Sequence, residues 1–210
     1  GRYSLYLRGL LKGEKVEETR IVDCVTRGIN PYTNTDEFFE CAKNPDLRFI
    51  VSNTTEAGIE YKPNQNPDDF NGLTFPGRLT LFMKKRFDEG LGGFILLPCE
   101  LIDKNGDNLK ECILKYSEDW GYGSEFEKWI ETENHFTNTL VDRIVTGYPR
   151  DNAKEMEQSY GYLDDMIDTA EIFHLWVIEG DKKLAEEIPF HKIGLNVLWT
   201  DDVTPYKKRK

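Results

Sequence analysis

The stretch Gly93-Phe94-Ile95-Leu96-Leu97-Pro98 constrains the fold more than any other part of the chain. Its apolar residues are continuous rather than alternate, so a strand built from it needs cover on both faces. Shorter runs of the same kind recur at 47–51, in 171–180 and in 194–200. Between them lie segments with helical spacing: Leu79, Phe82, Met83 and Phe87, then Leu109, Cys112, Ile113, Tyr116 and Trp120. Helices alternating with buried strands predict an α/β fold, a mostly parallel sheet with helices on both faces.

Local signals sharpen the element boundaries. Tyr3, Leu5 and Leu7 alternate with Ser4, Tyr6 and Arg8, and a Gly13-Glu14 turn predicts a hairpin at the start. A short helix is expected from Thr35, stopped before Pro45. Asp107 is the expected cap of the helix through 107–120, and Ser124 with Glu127 forms a capping box for the next one. An acidic helix is expected over 151–158, one strand in "EIFHLWVIEG", and a last strand in "GLNVLWT".

The 210 residues carry a formal net charge of −11, which argues against nucleic acid as a partner, since phosphate binding draws on lysine and arginine. The basic cluster 207–210 is confined to the chain end. No apolar run approaches the roughly 20 residues that span a bilayer, so no membrane partner is expected. Cys24, Cys41, Cys99 and Cys112 lack a C-x-x-C spacing, and His135, His174 and His191 are far apart in sequence. Reduced thiols, a soluble cytoplasmic protein and no metal are the expectation.

Residue 1 is glycine and the chain opens directly in a strand pattern, while Thr204-Pro205 starts a helix that the sequence leaves after about one turn. These ends read as an excerpt of a longer protein. Residues 1–203 are expected to form one partial domain, with 204–210 beginning a helix that leads onward.

Ligands of parallel α/β sheets sit beyond the carboxyl ends of the strands. That rule singles out the loops "SNTTEAG", "CELIDKNG" and "TGYPR". In the first, Ser52, Asn53, Thr54, Thr55 and Glu56 could line a ribose or nicotinamide, although polar loops after strands are commonplace. In the second, Glu100 and Asp103 could act as bases, while Asn105-Gly106 suits a tight turn. Asp142 and Arg143 stand side by side in an apolar segment, where a structural ion pair competes with a site. A phosphate-cradling G-x-G-x-x-G after a strand is absent, and "GLGGF" has its glycines in the wrong arrangement.

"FTNTLVDRIVTGYPR" resembles the signature of the mannitol dehydrogenase family, long-chain polyol and sugar-acid dehydrogenases. "LRFIVSNTTEAGI", "LPCELIDKNGDNLKE", "FHLWVIEG" and "TPYKKRK" extend the similarity over the whole chain, toward members that act on keto-uronates. The resemblance implies a Rossmann-type domain lacking its first βα unit and the helical domain that follows. It implies NAD as cofactor and a small sugar acid as substrate. It also implies a proton carrier at Lys210, which begins the family's K-x-x-x-x-N-x-x-H pattern, with Asp142 near the reacting centre and "SNTTEAG" along the cofactor groove.

One departure is clear. Where mannitol-type members carry an asparagine that polarises the carbonyl, this chain has Leu101, leaving Asn105 or Glu100 as substitutes for contact with substrate. The rival readings are a sister activity on fructuronate or mannitol, and a binding or scaffold domain without chemistry. The isolated chain is expected to be inactive, and oligomeric state is left open.

Overall fold

A computed structural model describes residues 1–207 of the chain. In chain order the strands are β1 Tyr3–Leu11, β2 Glu14–Val22, β3 Phe49–Ser52, β4 Ile95–Pro98, β5 His135–Phe136, β6 Asn138–Asp142, β7 Asp168–Glu171, β8 Leu175–Glu179 and β9 Val197–Thr200. The helices are α1 Thr35–Ala42, α2 Phe75–Asp88, α3 Asn105–Asp119, α4 Ser124–Glu133, α5 Ala153–Tyr160, α6 Lys182–Glu187 and α7 Thr204–Lys207. They divide between two compact units: Gly1–Gly28 with Asp142–Leu175, and Ile29–Val141 with the chain from Trp176 onward.

The larger unit contains the expected parallel strands, in two three-stranded sheets of order β3-β4-β5 and β6-β8-β9. β3 pairs with β4 and β4 with β5, both parallel, and β8 pairs in parallel with β9. β6 follows β5 after one residue and joins β8 by hydrogen bonds. The apolar run of β4 does what its composition requires. Phe94 and Leu96 enter a cluster with Leu79, Phe82, Leu109 and Phe126, while Ile95 and Leu97 pack on the opposite face with Ile178, Leu184 and Val197. Both faces are thus covered, and Leu96 has no exposed surface.

α2 forms where the apolar spacing places it. Thr74 caps it, its hydroxyl accepting from the Gly77 amide at 3.3 Å. Buried Arg86, 3% exposed, donates to the carbonyls of Ala42, Asn44 and Gly92, so its guanidinium is satisfied by backbone instead of by an acid.

The smaller unit has a sheet of order β2-β1-β7, with β1 antiparallel to β2 and parallel to β7. Leu11 faces Glu14, so the hairpin turn is Lys12-Gly13, both at positive φ, one residue earlier than expected. The alternation along β1 also misleads, because Ser4 has no exposed surface. Its amide donates to Asp164 at 2.6 Å and its hydroxyl pairs with Tyr162 at 2.7 Å.

Other local expectations need correction. "EIFHLWVIEG" is two strands, β7 ending at Glu171 and β8 starting at Leu175, which belong to different sheets. The α4 cap position is Gly123 and no side chain caps it, so Ser124 is already helical. α3 begins at Asn105, placing Asp107 in its first turn, where its charge still suits the helix dipole. Asn105-Gly106 is therefore helix and not a turn. Gly106 is needed because a Cβ there would lie 2.3 Å from the Thr137 carbonyl oxygen. The start of α7 is served by Asp202, which accepts from the Thr204 amide at 2.8 Å.

Candidate functional site

At the carboxyl ends of the strands in the larger unit, acidic and amide side chains tie neighbouring loops together. Glu100 ends the segment after β4 and is 2% exposed. Its carboxylate accepts from the Ser52 hydroxyl at 3.1 Å, the Thr54 amide at 3.0 Å and the Thr54 hydroxyl at 2.9 Å. Among the described residues no lysine or arginine pairs with it. Its charge is met by three hydrogen-bond donors, the arrangement that a buried carboxylate requires.

The loop after β3 is thereby divided. Ser52 and Thr54 turn inward onto Glu100, whereas Asn53, Thr55 and Glu56 are exposed. Thr55 has φ +75° and its carbonyl accepts from the Gly58 amide at 3.1 Å. Gly58 admits no side chain, since a Cβ would come within 1.9 Å of the Thr54 hydroxyl oxygen. The expected cofactor residues thus separate into a framework pair and an outward-facing trio.

Asn105 has no exposed surface. Its amide nitrogen donates to the carbonyls of Pro98, Glu100 and Thr139, and its oxygen accepts from the amides of Gly106 and Thr139. All its hydrogen-bonding capacity is spent inside the fold. Asn105 and Glu100, the residues expected at the substrate, are both buried, and their hydrogen bonds brace the rim of the sheet. Leu101, in contrast, is half exposed at 51%.

Sequence reasoning missed Glu179 and Asn138. Glu179 closes β8 and accepts from the Asn138 amide nitrogen at 2.9 Å and the Val203 backbone amide at 2.8 Å. Asn138 in turn accepts from the Asp107 amide at 3.1 Å. The Glu179 carboxylate therefore holds the entry to α7 directly and the start of α3 through Asn138. The available signal was a glutamate directly after an apolar run, as in "ILLPCE" and "LWVIE". Lys207 pairs with Asp103, and their proximity holds the Asp103 carboxyl below its ordinary value.

Of the remaining candidates, Asp142 is the half-buried last residue of β6. Its neighbour Arg143 donates to the Glu171 carbonyl at 3.1 Å, and the Glu171 carboxylate accepts from the Ile144 amide at 2.6 Å. Arg143 thus fastens the segment that follows β6. Lys210 lies outside the described residues.

Residues 2–192 match the family model described as the mannitol dehydrogenase Rossmann domain. The chain belongs to the mannitol dehydrogenase family. Within the family it is similar to altronate oxidoreductases from Shigella flexneri and Cronobacter sakazakii, each 47% identical over the whole of this chain and 44% of the relative. It therefore spans less than half the length of those relatives. Two solved structures share the fold. A substrate-free D-sorbitol dehydrogenase superposes with a TM-score of 0.78 at 24% identity, covering 98% of this chain and 43% of its own. Pseudomonas fluorescens mannitol 2-dehydrogenase, solved with NAD and D-mannitol, gives 0.76 at 20% identity with the same coverage. The Rossmann-type fold of the chain, with helices on both faces of a parallel sheet, is established by these matches and by the sheet itself.

Proposed function

We propose that the full-length protein is an NAD-dependent oxidoreductase acting on a CH–OH group. More specifically, it would interconvert tagaturonate and altronate in hexuronate catabolism, in the cytoplasm. The observation that carries this reading is the similarity to altronate oxidoreductases along the entire chain. The rim of the sheet fits part of the cofactor. Asn53, Thr55 and Glu56 offer an amide, a hydroxyl and a carboxylate, groups suited to a ribose or a carboxamide. Residues 52–58 include no basic side chain, so this loop suits the nicotinamide riboside half rather than the pyrophosphate.

When bound, NAD supplies or accepts the hydride. The chain's own residues would position the reactants and handle the proton. By the family pattern Lys210 holds that proton at the substrate oxygen, as base during alcohol oxidation and as acid during ketone reduction. Asp142, at the end of β6, would stand near the reacting atoms. Asn53, Thr55 and Glu56 would line the cofactor, with Ser52 and Thr54 as their support.

The test is steady-state NADH oxidation by the complete protein with tagaturonate, fructuronate and fructose side by side. Tagaturonate should give the highest kcat/KM, and preference for either of the others would reassign the substrate. Lys210→Ala should lower turnover by about 10²–10⁴-fold, the range for loss of a general acid–base. Full turnover in that variant, or no NADH binding by the parent, would overturn the reading.

A further inference from the structure

We propose that Glu100 is a positioning residue: its buried carboxylate fixes the loop after β3 in the one shape that presents Asn53, Thr55 and Glu56 to the dinucleotide. The inference rests on the functional reading above for the identity of the ligand, but the clamp itself is a property of the free protein. Glu100 receives three hydrogen bonds from a loop that lies 46 to 48 residues earlier in the chain. Without them Ser52 would bury an unpaired hydroxyl, and half-buried Thr54 would lose the partner of both its amide and its hydroxyl. The same loop has no slack on its other side, where Gly58 closes against Thr54.

The geometry makes the role distinguishable from chemistry. Both Thr54 donors meet one carboxylate oxygen, Oε1, and the Ser52 hydroxyl meets the other, Oε2. A glutamine can keep its oxygen toward Thr54 and set its amide nitrogen against Ser52, whose hydroxyl turns from donor to acceptor. An aspartate is one methylene short of either contact. The clamp therefore depends on reach and on an acceptor oxygen, and hardly on charge.

The experiment uses the full-length protein with Glu100→Ala, Glu100→Asp and Glu100→Gln. Amide hydrogen exchange at Thr54 is followed without cofactor, and NADH dissociation constants and kcat against KM are measured with it. Glu100→Ala and Glu100→Asp should speed Thr54 exchange and weaken NADH binding about tenfold, the equivalent of roughly one hydrogen bond to a charged group, while kcat falls far less. Glu100→Gln should rescue most of both losses.

If Glu100→Gln abolishes kcat while Thr54 stays protected and NADH still binds, the carboxylate works on the reacting atoms and the proposal fails. Unchanged exchange and affinity in the alanine and aspartate variants would also overturn it. A parent that binds no dinucleotide would refute the functional reading, and Thr54 exchange would then decide the clamp alone.

Discussion

The two units reach order by different means. The larger one buries a contiguous apolar cluster in which Ala42, Met83, Leu96, Ile113, Phe126 and Ile130 all have no exposed surface. The smaller one buries Leu7, Ile167 and Ala170 yet leaves Leu10 72%, Ile144 63% and Leu163 87% exposed. It is framed instead by hydrogen bonds. Asp164 accepts from the amides of Ser4 and Met166, Thr169 donates to the Gly147 carbonyl at 2.7 Å, and Arg143 donates to Glu171. Apolar burial is the dominant favourable contribution to folding, whereas a hydrogen bond nets only about 1 kcal/mol. The larger unit should therefore carry most of the stability, and the smaller should yield first.

The largest expected effect tests that division directly. Phe126 stacks on Trp129 with ring centroids 5.9 Å apart and meets the edge of Tyr122 at 5.6 Å. Phe126→Ala should cost about 3–5 kcal/mol, since the helices and the strand of its cluster cannot all close into the gap. Leu7→Ala in the smaller unit should cost about 2 kcal/mol, the low end for such a truncation, because a thin sheet can settle. Urea unfolding followed by tryptophan fluorescence measures the first, and amide hydrogen exchange along β1 against urea measures the second, because all four tryptophans lie in the larger unit. Equal losses would show that the smaller unit is as tightly packed as the larger, and the contrast would be gone.

Much of the larger unit was legible because its signals are local. The unbroken run around β4 demanded two covered faces, and the spacing of Leu79, Phe82 and Met83 announced α2. The smaller unit was harder to read. A polar residue, Ser4, takes a buried place through partners 158 and 160 residues away, and periodicity along one strand cannot report that. The same limit applies at the site. Position was legible, because strand ends host ligands, but allocation was not. Nothing in "SNTTEAG" says that Ser52 and Thr54 point in and Asn53, Thr55 and Glu56 out. That choice is made by Glu100, a long way down the chain.

A smaller effect probes the frame of the second unit. Gly13 has φ +86° in a two-residue hairpin turn, and a Cβ there would meet nothing within 4 Å. Gly13→Ala therefore isolates the backbone cost of a left-handed alanine, about 1–2 kcal/mol. Amide exchange across the β1–β2 ladder is the measure, and it should quicken while the larger unit's core amides stay as they were. Quickening in both units alike would mean that they unfold together, which would blunt the distinction drawn between them.

The smallest effect leaves stability at neutral pH untouched and appears only in alkali. Cys24 in the smaller unit is exposed, while Cys99 and Cys112 in the larger are buried. Burial pushes the Cys99 thiol up from 9.0 to about 11. A group that holds its proton more tightly when folded favours the fold below its unfolded value and loses that contribution as pH rises through the folded one. Stability tied to Cys99 should thus be complete below pH 9 and gone by about pH 11, with Cys99→Ser removing that slope. At pH 8 an aromatic disulfide reagent should label Cys24 at once and reach Cys99 only as fast as the sheet opens. Labelling of Cys99 at the Cys24 rate would mean that the end of β4, and with it the Glu100 clamp, is open to solvent.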